Sequence, residues 1–404
     1  MNQLNAALNE RLAVIREQGL YRELRRVDSP QSPRIEMGGK TVLNFSSNDY
    51  LGLANESCIK EATIKAVEKF GAGSGAARLV CGSLAPHHEL EEALAAFKGV
   101  EAALTFSTGY AAAVGTIGAL VGKEDVVAID KLVHASIVDG ARLSGAKLRV
   151  FSHNDLNELE DILKWASAVH SPQSTVHSPQ SAVRGRKQVL IITESVFSMD
   201  GDCAPLRAMV ELKSKYGAWL MVDEAHATGL YGKNRRGLAE EVGISDGIDV
   251  QMGTLGKALG ASGGFIAGSR SLIDYLVNRA RSFIFSTAPI PAAAAAATAG
   301  ICFVQSKSGE ARRNELWERV RDFHQSFTGS APKFSSAIIP IMVGEEAKAV
   351  ERAKALFARD IYVPAIRYPT VARGEARLRV TVTAAHQASD LRQLAAALKG
   401  TLEA

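Results

Sequence analysis

Apolar residues in this chain fall in short runs, separated by longer stretches with helical spacing. The runs are Ala102–Phe106, Val126–Ile129, Leu148–Phe151, Val189–Thr193, Trp219–Val222, Val250–Thr254 and Gly263–Ala267. Most are continuous rather than alternating, which predicts strands buried on both faces. Helical segments such as Ser57–Phe70 and Leu206–Tyr216 lie between them. This order predicts an α/β domain with a mainly parallel, seven-stranded sheet flanked by helices.

The two ends of the chain read differently. Leu4, Leu8, Leu12, Ile15 and Leu20 predict an amphipathic helix over 2–25, followed by an extended stretch ending in Thr41–Phe45. From about residue 290 the periods shorten. A long helix over Pro291–Phe327 is expected, then a strand over Ser335–Val343 and a helix over 345–358. Tyr362–Ile366 and Arg377–Val382 read as strands and 388–402 as a last helix. That pattern predicts a smaller C-terminal α+β domain. The expected organisation is an N-terminal helix and extended segment (1–45), a large α/β domain (46–287) and the small domain (288–404). Within the large domain, 169–187 is a polar expansion. Val169–Thr175 is followed by the near copy Val176–Ala182. Two such short copies cannot stack into a solenoid, so a surface loop is expected.

Composition adds mainly exclusions. Of 404 residues, 47% are hydrophobic and 22% charged, which excludes wholesale disorder, collagen and coiled coil. The net charge of +4 is too small to make nucleic acid the expected partner. Charged residues interrupt the first turns of the chain, so no secretory signal is expected. The weakly polar run Pro291–Val304 is too short for a membrane span, which needs ~20 apolar residues. The four cysteines form no C-x-x-C pair, so neither a metal site nor a disulfide framework is indicated, and a reducing, cytoplasmic compartment fits. The 35 glycines, some clustered, point to tight turns or a ligand close to backbone.

In an open parallel sheet, ligands bind beyond the carboxyl ends of the strands. The residues there are Ser107-Thr108-Gly109-Tyr110, Asp130 with His134, Glu194 with Ser198, Asp223-Glu224-Ala225-His226, and Thr254-Leu255-Gly256-Lys257. One polar strand end means little; a set of them predicts a site. A lysine after a buried strand can be tuned by desolvation to form a Schiff base with a carbonyl. Alone, Lys257 would read as a surface lysine, but Gly256 and Gly260 let a large ligand approach. Asp223 is suited to hold a positive charge, such as a protonated pyridine nitrogen, or else caps the following helix. Thr108-Gly109 at a helix start is either a phosphate turn or an ordinary cap. His134 is either a core histidine or a ring against a planar cofactor.

Two other motifs lead nowhere. Asp223–His226 spells a nucleotide-driven motor motif, but the nearest phosphate-loop candidate, Gly118–Glu124, is one residue short and ends in Glu. Gly71–Gly75 faintly matches a dinucleotide fingerprint, but it follows a helix rather than a strand.

With Asp223, His226, Lys257 and a phosphate turn in this order, the chain resembles the fold-type I pyridoxal phosphate enzymes and, within them, the α-oxoamine synthases. The motifs that carry the resemblance are Asn44–Leu53, Gly73-Ser74-Gly75 with Arg78, Phe197–Asp202, Val222–His226 and Thr254–Gly260. It spans about residues 8–398 and leaves out only the 169–187 expansion. The Asn44–Leu53 and Ala365–Val371 stretches, with Arg377–Arg379 and Thr381–His386, are most similar to members that join L-alanine to a pimeloyl thioester in biotin biosynthesis. Ser46-Ser47 and Ile366–Thr370 argue against a member that joins glycine to acetyl-CoA. Tyr368 stands where the family usually has proline and bears on acyl preference.

The resemblance implies a role for each matching residue. Lys257 carries pyridoxal 5'-phosphate as a Schiff base and moves the substrate's α-proton. Asp223 pairs with the ring nitrogen, His134 lies against the ring, and His226 and Ser198 sit near its phenolic oxygen. Gly109, Tyr110 and Thr254 bind the phosphate region, joined by Ser286 and Thr287 from a second copy in a homodimer whose site lies at the interface. Arg367 and Asn48 hold the amino-acid carboxylate, while Arg22 and Thr370 contact the acyl substrate. The acyl carrier is coenzyme A or an acyl carrier protein.

Overall fold

The computed structural model describes residues 2–169, 187–330 and 336–402. The tandem repeat therefore lies almost wholly outside the described residues. The chain divides into two compact units. The larger comprises 56–198 and 202–311, and the smaller comprises 1–55, 199–201 and 312–404.

The larger unit is built on the expected sheet. Its strands are β1 (Ala102–Phe106), β2 (Val126–Asp130), β3 (Lys147–Phe151), β4 (Val189–Glu194), β5 (Trp219–Asp223), β6 (Val250–Thr254) and β7 (Gly264–Gly268). Their spatial order is β1-β7-β6-β5-β4-β2-β3. β2 to β6 are parallel, and β7 alone runs antiparallel, to both β1 and β6. Every residue of β2, β4 and β7 is buried, which explains their unbroken apolar runs. β3 lies at the edge, where Arg149 and Val150 face solvent. Helices Gly109–Leu120 and Ala135–Ser144 pack on this sheet through Ala112, Ile117, Ile137 and Ala141, in a core shared with Leu104, Ile129, Ile192 and Met221.

The smaller unit holds two three-stranded sheets. In one, Ile338–Gly344 and Ala365–Ile366 flank Ala376–Thr381, all antiparallel. In the other, the hairpin of Arg34–Met37 and Lys40–Asn44 gains Ile361–Tyr362 in parallel.

Several predicted elements differ in extent. The first helix covers only Gln3–Glu17, because Gly19 adopts φ +66 just past its end. The helix expected over Pro291–Phe327 is two, Pro291–Gln305 and Lys307–Thr328. Ser306 divides them: its hydroxyl donates to the Phe303 carbonyl (2.7 Å) and accepts from the Gly309 N–H (3.1 Å). The strand expected over Tyr362–Ile366 is split between the two sheets. Pro364, between the two pieces, has no N–H to give to a ladder. No helix among the described residues is long and apolar enough to cross a membrane.

Candidate active site

The carboxyl ends of β4, β5 and β6 are neighbours in the sheet and carry the densest set of ionisable groups. Glu194 and Asp223 end β4 and β5 as direct register partners. Asp223 is buried, and its Oδ1 accepts the Ala225 N–H at 2.9 Å. Residues 225–230 form turns rather than a helix, so this bond closes a turn and caps no helix. Burial pushes its carboxyl above the ordinary range, against the opposing pull of the Lys257 charge. Lys257 follows β6, and its Nζ lies 2.8 Å from Nε2 of the buried His226. The same charges reach His134: burial lowers its pKa, the Asp223 charge opposes that fall and the Lys257 charge adds to it. His134 caps helix Ala135–Ser144, with Nδ1 2.8 Å from the Ser136 hydroxyl and 3.2 Å from the Ser136 N–H.

Thr108, Gly109 and Thr254 form a second group beside these. Thr108 caps helix Gly109–Leu120, its hydroxyl accepting the Ala111 N–H at 3.0 Å. A methyl group on Gly109 would lie 3.9 Å from Thr254 Cβ, so this helix start adjoins the end of β6. Thr254 is oriented by its own bonds, donating to the Gly263 carbonyl (3.0 Å) and accepting from the Gly256 N–H (3.2 Å). Gly264 makes the approach possible: a Cβ there would meet Gly109 Cα at 2.5 Å. Tyr110 is exposed, and its hydroxyl donates to Asp139 at 2.7 Å. Ser286 and Thr287 are anchored elsewhere, through the Thr287–Ala77 bridge and the Ala288 N–H on the Ala76 carbonyl.

Further ionisable groups surround these. Glu194 is buried, with Oε2 accepting the Ser198 N–H at 3.1 Å and Oε1 unpartnered. Burial first, and then the Asp223 charge, push its pKa up to about 8. His153 bridges Asp130 (3.0 Å) and Asp202 (2.7 Å) with its two ring nitrogens, edge-on to Phe197. Burial opposes its charge, but the two carboxylates outweigh burial and raise its pKa to about 10. Asp130 also accepts the Leu132 and Asn154 N–H groups, so this bridge fixes the turn that leads to His134. Glu224 is paired with Lys98 at 2.8 Å, both almost wholly buried, and its other oxygen accepts the Ala239 N–H. It holds the loop after β5 and is occupied there. Arg78 is likewise consumed in a forked pair with Glu91 beneath β1.

The smaller unit holds the remaining candidates. Arg22, Arg367 and Thr370 line one cavity of about 730 Å³. Arg22 reaches the Thr370 hydroxyl at 3.4 Å, and Arg367 donates to the Tyr21 carbonyl at 2.7 Å. Asn48 does not line this cavity. Its Oδ1 accepts from the buried Arg379 (3.1 Å) and the Tyr50 hydroxyl (3.3 Å). Arg379 lies in the Arg377–Arg379 stretch of the resemblance, which gave it no role of its own.

The chemistry of the larger unit's donor set fits a ring with a basic nitrogen, an adjacent phenolic oxygen and a phosphate. Asp223 offers a buried anion, Lys257 and His226 a hydrogen-bonded amine and imidazole, and Thr108–Tyr110 with Thr254 offer hydroxyls and free N–H groups at a helix start.

Comparison with known proteins is consistent with that fit. The family "Aminotransferase class I and II" matches residues 40–398. An 8-amino-7-oxononanoate synthase of Geobacter sulfurreducens is 48% identical over 390 residues, covering 96% of this chain and 95% of that protein. Its counterpart in Geotalea daltonii is 46% identical, covering 96% of each. Among solved structures, a serine palmitoyltransferase variant from S. paucimobilis holding a PLP–myriocin aldimine has a TM-score of 0.88 at 28% identity. It covers 100% of this chain and 99% of its own. An 8-amino-7-oxononanoate synthase from Francisella tularensis has a TM-score of 0.73 at 27% identity, covering 90% and 98%.

Proposed function

The chain belongs to the class I and II aminotransferase family and, within it, to the 8-amino-7-oxononanoate synthases; from that premise we propose that it joins L-alanine to a pimeloyl thioester. The products are 8-amino-7-oxononanoate, carbon dioxide and the free thiol carrier. The observation that carries this reading is the convergence of Lys257, His226, Asp223 and Glu194 on three adjacent strand ends. The expected setting is a cytoplasmic homodimer in which Ser286 and Thr287 of one copy serve the other's phosphate site.

Pyridoxal phosphate, when bound, supplies an electron-accepting ring that acidifies the alanine α-carbon and takes up charge again at decarboxylation. The chain's residues do the rest. Asp223 would hold the ring nitrogen protonated, because a buried carboxylate favours a neighbouring cation. Lys257 Nζ anchors the group, then removes and returns the α-proton. His226 Nε2, already hydrogen-bonded to that amine, orients it, and His226 and Ser198 would hold the phenolic oxygen of the bound group. His134 would lie against the bound ring. The helix start at Gly109-Tyr110 and the Thr254 hydroxyl hold the phosphate. Arg367 and Asn48 bind the alanine carboxylate, and Arg22 and Thr370 bind the acyl chain.

The experiment is product identification by mass spectrometry after incubation with alanine or glycine and a panel of acyl thioesters. The expected outcome is 8-amino-7-oxononanoate from L-alanine and a pimeloyl thioester only. A dominant product from glycine and acetyl-CoA would overturn the substrate assignment. Borohydride reduction and peptide mapping test the anchor: a pyridoxyl group on a lysine other than Lys257 sinks it.

A further inference from the structure

The cavity that holds Arg22 and Arg367 carries more positive charge than the proposed reaction's two carboxylates require. Its lining includes Arg16, Arg22, Arg25, Lys354 and Arg367, with Glu23 as the one acidic residue. Among the described residues none of these five cations makes an ion pair. Nearby arginines of the same unit do: Arg26 pairs with Asp28 and Arg34 with Asp390. The excess is therefore local to the cavity. It also has a cost, since burial and the Arg22 charge together lower the pKa of Arg367. An uncompensated cluster of cations is stabilised when an anion arrives.

Two of the guanidiniums are held on aromatic faces. The Arg16 guanidinium lies 4.2 Å from the Tyr21 ring centroid, and that of Arg25 lies 4.9 Å from Phe357 and 5.4 Å from Tyr362. Stacking on an aromatic face orients a guanidinium while leaving its in-plane N–H groups available for forked binding. The volume of about 730 Å³ falls within the range of cofactor-sized sites. Arg22 and Arg367 are already assigned to the acyl and amino-acid substrates, which leaves Arg16, Arg25 and Lys354.

We propose that Arg16, Arg25 and Lys354 bind phosphate on the thiol carrier of the acyl thioester. The inference rests on the reading of function above and extends it to the carrier. Coenzyme A and the phosphopantetheine arm of a carrier protein share this chemistry. The three residues are solvent-exposed, so glutamine substitutions leave the fold in place, which thermal melting checks.

The test compares Arg16→Gln, Arg25→Gln and Lys354→Gln in the full chain loaded with cofactor. Three thioesters serve as probes: pimeloyl-CoA, pimeloyl-4'-phosphopantetheine and pimeloyl-pantetheine, the last without phosphate. The ratio of kcat/KM for pimeloyl-CoA to that for pimeloyl-pantetheine is expected to fall about tenfold for each charge-assisted contact removed. A parallel fall for the phosphopantetheine thioester supports the phosphate common to both carriers. A fall for the coenzyme A thioester alone supports the nucleotide phosphates. Unchanged ratios in all three variants overturn the proposal. Calorimetric titration with coenzyme A supplies an arm that needs no turnover: binding weakened about tenfold supports the site, and undiminished binding overturns it. If the unaltered chain makes no product from any thioester while the variants still lose coenzyme A affinity, the functional reading fails and the phosphate site stands.

Discussion

The strand ends of the larger unit and the cavity of the smaller one handle charge in opposite ways. At the strand ends nearly every ionisable group has its counterpart within the protein. Lys98 has Glu224, His153 has Asp130 and Asp202, and Lys257 has His226 beside the Asp223 charge. In the cavity, Arg16 and Arg25 rest on aromatic rings, Arg22 reaches a hydroxyl and Arg367 a carbonyl, and neither they nor Lys354 have a carboxylate partner among the described residues. A buried charge must be matched inside the fold, because leaving it alone costs several kcal/mol. An exposed cation can wait for its partner in water. The first region is thus held rigid by its own pairs, while the second leaves its cations open to anions. Substitutions in the first should mainly change turnover, and substitutions in the second should mainly change KM.

The sharpest test is Lys257→Ala. It should fold normally, lose the borohydride-trapped adduct and lose at least ~1000-fold in turnover, as expected when both the anchor and the proton carrier are removed. Turnover within tenfold of the unaltered enzyme would break the comparison at its centre. Asp223→Ala should lose about 100-fold in kcat with cofactor still bound, because the ring accepts charge less readily. Near-normal kcat with full cofactor occupancy would remove Asp223 from its role. On the other side, Arg367→Ala should raise the KM for alanine about tenfold, the worth of one charge-assisted carboxylate contact, and change kcat far less. An equal loss in kcat would place Arg367 in the chemistry instead.

The smallest effect concerns stability. His153 has its pKa raised from 6.5 to about 10 in the folded protein. A raised pKa means that the protonated form stabilises the fold. That contribution is complete below about pH 6.5 and is lost as pH rises through about 10. His153→Asn should therefore cost about 2 kcal/mol at pH 6 by denaturant unfolding. The difference from the unaltered protein should shrink toward pH 10. A gap that widens with pH would show that His153 is held neutral.

Much of the larger unit was legible in advance because its strands are buried on both faces. Such strands announce themselves as apolar runs, and the polar residues that end them are then adjacent in the list of candidates. Lys257, Asp223, His226 and Thr254 became site candidates in that way. Glu194 was visible as a strand-end acid, but its orphaned Oε1 depends on what surrounds it. His153 carries no local pattern, and Arg379 and Gly264 lie in patterned stretches that do not single them out. Each matters through a partner far along the chain: Asp202 for His153, Asn48 for Arg379 and Gly109 for Gly264. The helix break at Ser306 is a case in between. A serine in an alanine-rich run is a weak signal, and its two bonds to Phe303 and Gly309 decide the matter.

The sequence by itself determined the class of fold, the strand ends that collect polar residues and the kind of cofactor those residues suit. Those depend on local pattern and on residue type, both of which survive without coordinates. Only the tertiary structure decided which charges are matched and which are left for a ligand. Pairing depends on distances between residues remote in sequence. It separates Glu224 and Arg78, each consumed in an internal ion pair, from Arg16, Arg25 and Lys354, which await an anion.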